Sequence, residues 1–193
     1  MASKIAYLCS SDSWGGLEMN QLRNAIWMKE KGKSVCILAL NNSPIYKASI
    51  QNKLKTIPVL KHRKYFDFIA AYRLASLIKK EKISHLIIRS TRDMSITASV
   101  KCILGKKIKT AYFMEMQLGV MKKNILHSIR FKGIDRWFCP LSFLADQVYF
   151  KTNYKSSKIR VLGSGIDFSK INKLDSNIAR KKLGLPMDVF LLG

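Results

Sequence analysis

The segment richest in possible chemistry is Ser13-Trp14-Gly15-Gly16-Leu17-Glu18. It lies between a short apolar run, Ile5 to Cys9, and a stretch from Leu17 to Lys31 in which Leu22, Ala25, Ile26 and Lys29 recur at helical spacing. Two glycines at a strand-to-helix junction let the backbone approach a ligand closely. The start of the helix also offers free N–H groups and a positive dipole end to a phosphate, so Trp14, Gly15, Gly16 and Glu18 form a candidate phosphate loop. The plainer alternative is a tight Gly-Gly turn with no ligand. The spacing is not G-x-G-x-x-G, so the dinucleotide fingerprint is not met. Gly163-Ser-Gly-Ile-Asp167 also contains G-x-G, but Phe168 stands where the third glycine belongs, and this segment reads as a turn leading out of a domain.

Two further groups fall just after apolar runs. Glu115 and Gln117 follow Lys109 to Met114, and a carboxylate there can act as a general base or hold a hydroxyl. The alternative is an exposed or capping polar pair. Arg89, Arg92 and Asp93 follow Leu86 to Ile88 and can bind an acidic group or pair with one another. His62, His85 and His127 share no spacing and show no partner. Cys9, Cys36, Cys102 and Cys139 are widely separated, with no C-x-x-C and no nearby histidine pair, so they read as reduced, buried, small apolar residues rather than metal ligands. No metal site is expected.

The elements that must position these residues alternate. Strands are expected at Ile5–Cys9, Val35–Leu40, Thr56–Leu60, Leu86–Ile88, Lys109–Met114, Trp137–Cys139 and Ile159–Leu162. Helices are expected at Leu17–Lys31, Phe66–Lys82, Asp93–Leu104, Lys122–Lys132 and Ser142–Lys151. Gly32 stops the first helix, and Asn41-Asn-Ser-Pro44 breaks the second strand. In the helix from Phe66, the residues Phe66, Ile69, Ala70, Leu74, Leu77 and Ile78 make one apolar stripe. Asp93 is placed to cap or charge the first turn of the next helix. The strands are short and continuously apolar, which marks a sheet covered on both faces. The fold class is therefore α/β, a doubly wound parallel sheet, with function at the carboxyl ends of the strands where strand order reverses. Residues 1–167 form this Rossmann-like domain. Residues 168–193 read as a polar linker, a helix around Ala179–Leu183 and a strand, Val189–Leu192, that would start a second domain.

Composition narrows the partners. The 193 residues are 48% hydrophobic and 24% charged, which excludes wholesale disorder. No apolar run approaches the ~18 residues of a membrane span. The apolar stretch after Lys4 is too short for a signal peptide, so a cytoplasmic location is expected. Thirty-five basic against twelve acidic residues leave a net charge of +23, which calls for a negatively charged partner. Lys61, Arg63 and Lys64 precede the helix that Lys79, Lys80 and Lys82 close. With Tyr65, Phe66, Phe68 and Tyr72 along it, this region suits an anionic membrane surface. The same cations could face nucleic acid, but the aromatics follow apolar helix faces and no nucleic-acid module is present, so no such partner is expected.

The order of strand, Gly15-Gly16-Leu17-Glu18 loop, helix and "KGKSV", followed by "KIRVLGSGID" with its Gly165-Ile166-Asp167 exit and by "ARKKLGLPMDVFLLG", resembles the N-terminal half of a family 4 glycosyltransferase of the GT-B fold, from Lys4 to Gly193. The resemblance implies a two-domain enzyme that transfers a sugar with retention from a nucleotide-sugar. The N-terminal domain would bind a glycan or lipid-linked acceptor, with Arg89, Arg92 and Asp93 on that side. The Gly15-Gly16 loop would approach the donor diphosphate, with no metal and no cofactor beyond the nucleotide-sugar co-substrate. It also implies a peripheral enzyme of the inner membrane face that builds lipopolysaccharide, capsule or glycolipid. Many members carry a histidine after the fifth strand. Here Phe113-Met-Glu-Met-Gln117 has none, and Glu115 or Gln117 would take its place. Residues 1–193 alone are expected to be inactive, because the donor-binding half lies beyond them. The rival reading is a non-catalytic module for anionic lipid or polysaccharide.

Overall fold

The structure is a computed structural model that describes residues 3–168 and 174–191. It divides into two compact units, Met1–Gly163 and Ser164–Gly193. The first contains seven strands: β1 (Lys4–Cys9), β2 (Ser34–Leu40), β3 (Lys55–Val59), β4 (His85–Ile88), β5 (Lys109–Phe113), β6 (Arg136–Cys139) and β7 (Ile159–Val161). All pair in parallel, in the order β3-β2-β1-β4-β5-β6-β7. Strand order reverses between β1 and β4, so the loops after these two strands open at the switch point where such sheets hold ligands. The doubly wound parallel α/β fold expected from the alternation of elements is the fold found.

Six helices connect the strands: α1 (Gly16–Glu30), α2 (Pro44–Gln51), α3 (Phe68–Lys80), α4 (Met94–Leu104), α5 (Ile125–Lys132) and α6 (Ser142–Lys151). Helix α2 is absent from the sequence reading, which took Pro44 as a breaker. Proline is suited to the first turn of a helix, and the Ser43 hydroxyl accepts from the Tyr46 N–H at 3.3 Å, capping that turn. Two helices begin later than the apolar periodicity suggests, because a side-chain cap fixes each start. The Asp67 carboxylate accepts from Ala70 N at 3.1 Å, and the Asn124 side chain accepts from His127 N at 2.9 Å. Before α4 the chain makes a 3-10 turn, Thr91–Asp93, and the Asp93 side chain makes no cap bond at all.

Two apolar clusters sandwich the sheet. Ile5, Tyr7, Ile37 and Ala39 pack with Leu22 and Ala25 of α1 and Ile45 of α2. On the other side Leu8, Leu38, Leu86 and Ile88 pack with Leu74 and Ile78 of α3, Val100 of α4, Phe131 of α5 and Val148 of α6. The buried stripe of α3 is Ala71, Leu74, Ala75 and Ile78. Of the expected stripe, Leu74 and Ile78 are buried and Ala70 and Leu77 pack against the core, while Ile69 is 71% exposed, with Phe68 and Tyr72 beside it. Small alanines let α3 lie close to the sheet, a preference that a hydrophobicity count does not see. Trp137 is the largest fully buried side chain, with Tyr112, Phe131 and Tyr154 ring centroids 4.9–5.2 Å away. A core aromatic of this kind contributes about 3–5 kcal/mol.

Coverage of the sheet is uneven. Ile87, Ala111, Phe113 and Phe138 on β4, β5 and β6 are only half-buried and line an open groove. Helices α1 and α2 cover the β1–β2 side of that face and stop there. Among the described residues of the first unit, no helix covers these strands on that face. Cys102 is exposed, which also corrects the reading of all four cysteines as buried; the other three are.

In the second unit, Asp175 caps α7 (Ser176–Leu183) by accepting from Asn177 N at 2.9 Å, and Gly184 ends it at φ +66°. Residues 187–189 form a bend, and Val189 to Leu191 make no strand. A strand needs a neighbour to fill its ladder, and among the described residues this segment has none. Leu192, the last residue of the expected strand, lies outside the described residues, as do 169–173 of the expected linker.

Candidate functional site

The loop after β1 and the first turn of α1 form one wall of the switch point. Glu18 is buried, and its carboxylate accepts from Gly15 N at 3.0 Å and from Ser13 Oγ at 3.3 Å. This places a fixed negative charge at the start of α1 and holds the loop in shape. Trp14 is 42% exposed. A Cβ added to Gly16 would meet nothing within 4 Å, so the chain itself makes no demand for glycine there. The open space in front of Gly16 is available to a molecule from outside.

The opposite wall comes from β4 and β5. Arg89, buried at 6% exposure, forms an ion pair with Glu115. Its guanidinium also lies over the Phe113 ring, 5.1 Å from the centroid. Burial pushes the Arg89 pKa down to about 10, with Arg23 adding a smaller repulsion and Tyr7 opposing. The other Glu115 oxygen accepts from Asn20 Nδ2 of α1 at 3.0 Å. The sequence reading had put Arg89 and Glu115 in separate groups, and the fold brings them together. It missed Asn20, which carries no motif and reaches Glu115 only because α1 packs beside β5's exit. Gln117 and Arg92 are exposed, the latter on the turn set by its N–H donating to Ser90 Oγ at 3.2 Å.

Asp93 does something else. It is fully buried; its carboxylate accepts from the Ser10 hydroxyl, and His62 Nε2 lies 3.0 Å away. His62 Nδ1 faces the Arg63 carbonyl at 2.9 Å. Both ring nitrogens therefore face acceptors, which satisfies a doubly protonated imidazole. Burial opposes that charge, but the hydrogen bonds to Asp93 and to the Arg63 carbonyl outweigh it and raise the His62 pKa. Asp93 thus ties together the loops after β1, β3 and β4, and neither it nor His62 meets solvent. Pairing of Asp93 with the arginines, one of the sequence alternatives, does not occur.

The basic residues divide between the two ends of α3. Lys61, Arg63 and Lys64 stand at the carboxyl edge of the sheet, where Lys61 pairs with Asp12 at 3.0 Å. Lys79, Lys80 and Lys82 are exposed at the far end, about 18 Å along the helix. No helix among the described residues is long and apolar enough to cross a membrane, and no group of His, Cys, Asp and Glu among them could hold a metal ion.

No family model matches the chain, and no curated protein matches it. Solved structures do. A glycosyltransferase from Rickettsia africae ESF-5 superposes with a TM-score of 0.75 at 16% identity, over 97% of this chain and 51% of that one. The fold is that of one half of a GT-B glycosyltransferase. Anabaena HepE, in complex with UDP and glucose, matches at a TM-score of 0.69 and 11% identity, over 94% of this chain and 50% of its own. The lipopolysaccharide outer core galactosyltransferase WaaB matches at 0.64 and 15%, over 87% and 47%. A UDP-N-acetylglucosamine 2-epimerase shares the same fold at 0.58 and 14%. The chain spans about half the length of these matched structures.

Proposed function

We propose that this GT-B domain is the acceptor-binding half of a glycosyltransferase. The enzyme would move a hexose, with retention and without a metal, from a nucleotide-sugar to a cell-surface polysaccharide or lipid-linked acceptor. The observation that carries the reading is the arrangement at the switch point: an open glycine at the start of α1 facing the Arg89–Glu115–Asn20 cluster across the carboxyl edge. The first turn of α1 leaves backbone N–H groups free for a diphosphate that approaches past Gly16. In this reading the donor's other contacts come from a second domain, the matched structures being about twice this length, and residues 1–193 alone do not turn over.

Glu115, held by Arg89 and Asn20, accepts a hydrogen bond from the acceptor hydroxyl. Gln117, at the exposed end of the same loop, offers its amide beside it. Arg92 and Arg89 give the acceptor side its positive charge, and buried Asp93 fixes the loops that carry them. WaaB, a transferase of the lipopolysaccharide outer core, supports an envelope acceptor. HepE, seen with UDP and glucose, supports a uridine diphosphate donor. The exposed Phe68, Ile69 and Tyr72 on α3, with Lys61, Arg63 and Lys64 beside them, support a peripheral site on the inner face of the cytoplasmic membrane.

The test is a donor screen. The protein as purified from its source is incubated with radiolabelled nucleotide-sugars and source membranes. Label carried into glycolipid or polysaccharide is the expected result. No transfer from any donor, together with binding to anionic vesicles, would replace this reading with the non-catalytic module.

A further inference from the structure

Away from the Arg89–Glu115 cluster, a second set of basic groups converges from three elements. Arg130 of α5 is 3% exposed. One terminal nitrogen donates to the Thr91 carbonyl at 2.7 Å and the other lies 3.3 Å from His127 Nδ1. Its Nε, also buried, has no partner among the described residues. The guanidinium sits 5.2 Å from the centroid of Tyr65, and Lys64 Nζ lies 5.4 Å from the same ring. Half-buried Lys122, from the loop between β5 and α5, completes the set. Its backbone N–H donates to the Lys151 carbonyl at 2.7 Å, which fixes where its side chain starts.

None of the ion pairs among the described residues involves Lys64, Lys122, His127 or Arg130. Neighbouring cations depress two of these groups. Burial, then Arg130 and Lys64, lower the Lys122 pKa; burial, then Arg130, Lys122 and Lys64, lower that of His127. Holding four nitrogenous groups together without a carboxylate costs stability, and a fold keeps such a cluster at low cost only when an anion compensates it. Exposure is graded across the cluster, from buried Arg130 through half-buried Lys122 and His127 to exposed Lys64.

We propose that Lys64, Lys122, His127 and Arg130, arranged around Tyr65, form a binding site for a phosphate or diphosphate ester of the acceptor. This deepens the glycosyltransferase reading and rests on it for the word acceptor; anion binding itself does not. Arg130 supplies a fixed positive charge with an unpartnered Nε–H, and Lys64 and Lys122 supply point charges on the solvent side. Helix α5 begins here, and the Thr91 carbonyl and Tyr65 belong to the loops after β4 and β3, so the cluster lies at the carboxyl edge of the sheet with the acceptor-side residues.

The experiment is calorimetric titration of the full chain with inorganic pyrophosphate and with sulfate, repeated for Lys64→Gln/Lys122→Gln. Both lysines reach solvent, so the double variant keeps its fold and melting temperature. Pyrophosphate is expected to bind, more tightly than sulfate, and to lose at least tenfold in affinity in the variant. In parallel, the His127 ring protons are followed by NMR against pH. Its charge is faced by Arg130 on its own helix and by Lys122 and Lys64 from the neighbouring loops. Bound pyrophosphate should move its titration to higher pH, because an anion favours the imidazolium. Vesicles of phosphatidylcholine with phosphatidic acid, set against a soluble sugar phosphate, tell a lipid headgroup from a soluble ester by which of them displaces pyrophosphate.

No binding of pyrophosphate, equal binding by the variant, or an unmoved His127 titration would overturn the site. Sugar transfer that persists while pyrophosphate fails to bind removes this inference and leaves the proposed function standing. Pyrophosphate binding without transfer from any donor does the reverse.

Discussion

Gly133 closes α5 against α4, and replacing it by alanine is the sharpest structural perturbation the molecule offers. A Cβ built there would sit 2.3 Å from Ala98 Cα, 2.5 Å from Ala98 Cβ and 3.0 Å from Ala98 N. Carbon atoms in contact prefer about 3.5–4.0 Å, so the two backbones must part by more than ~1 Å. No side chain can swing away, since the nearest atom is main chain. Overpacking of a core costs about 1–3 kcal/mol where side chains can shift, and this case belongs at or above the upper end. At roughly 2–4 °C per kcal/mol for a chain of this size, about 3 kcal/mol lowers the Tm by roughly 6–12 °C. The assay is thermal and urea unfolding of Gly133→Ala, with Ala98→Gly as a second change. Removing the Ala98 methyl relieves the 2.5 Å contact and leaves the 2.3 Å one, so only partial rescue is expected. A Gly133→Ala protein as stable as wild type, or a double variant fully restored, would refute the packing argument. Because α5 also carries His127 and Arg130, Gly133→Ala should weaken pyrophosphate binding even in the fraction that stays folded.

Three other outcomes follow from the same geometry. The His62 pKa is raised in the fold, so its contribution is complete below the unfolded value of about 6.5 and lost as pH rises through the higher folded value. The stability gap between wild type and His62→Gln, measured by urea unfolding, should shrink from pH 5.5 to 8.5, and a constant gap would contradict the His62–Asp93 pair. Lys4 and Lys55 each lie 2.6 Å from Glu81 Oε2 and hold the Glu81 pKa at about 2. That contribution is present above about pH 4.5 and lost as pH falls toward 2. Glu81→Gln should therefore flatten the acid limb of the stability curve, and an unchanged limb would contradict it. Replacing Lys79, Lys80 and Lys82 by Glu should weaken binding to anionic vesicles, because it reverses three exposed cations on the helix that carries Phe68, Ile69 and Tyr72. Unchanged vesicle binding would place the membrane surface elsewhere.

The fold class was legible because each parallel strand is a short apolar run, a signal that survives without any knowledge of pairing. Helix α2 was hidden because Ser43-Pro44 reads as a break until its capping geometry is considered. In α3 the apolar spacing was legible at Leu74, Leu77 and Ile78, but not that Ala71 and Ala75 also pack the sheet while Phe68 and Ile69 face out. The two walls of the candidate site were legible in part. Arg89 and Glu115 each follow a strand and so fall at the functional edge, but their pairing depends on β4 lying next to β5, which sequence order alone does not give. His62 had no visible partner because Asp93 is 31 residues away and reaches it only through the crossing of α3. Asn20 and the Arg130 cluster have no local pattern at all; their meaning lies in what three separate loops bring to one edge.

The measurement that bears most directly on the central claim is sugar transfer by the Gly16→Val protein beside the wild type, purified from source and assayed with the best donor. A Cβ there meets nothing within 4 Å, so the fold should be kept and the Tm little changed. The valine should hold a diphosphate off by more than ~1 Å and cut transfer by about 100-fold. Wild-type rates from a folded Gly16→Val protein would contradict the account.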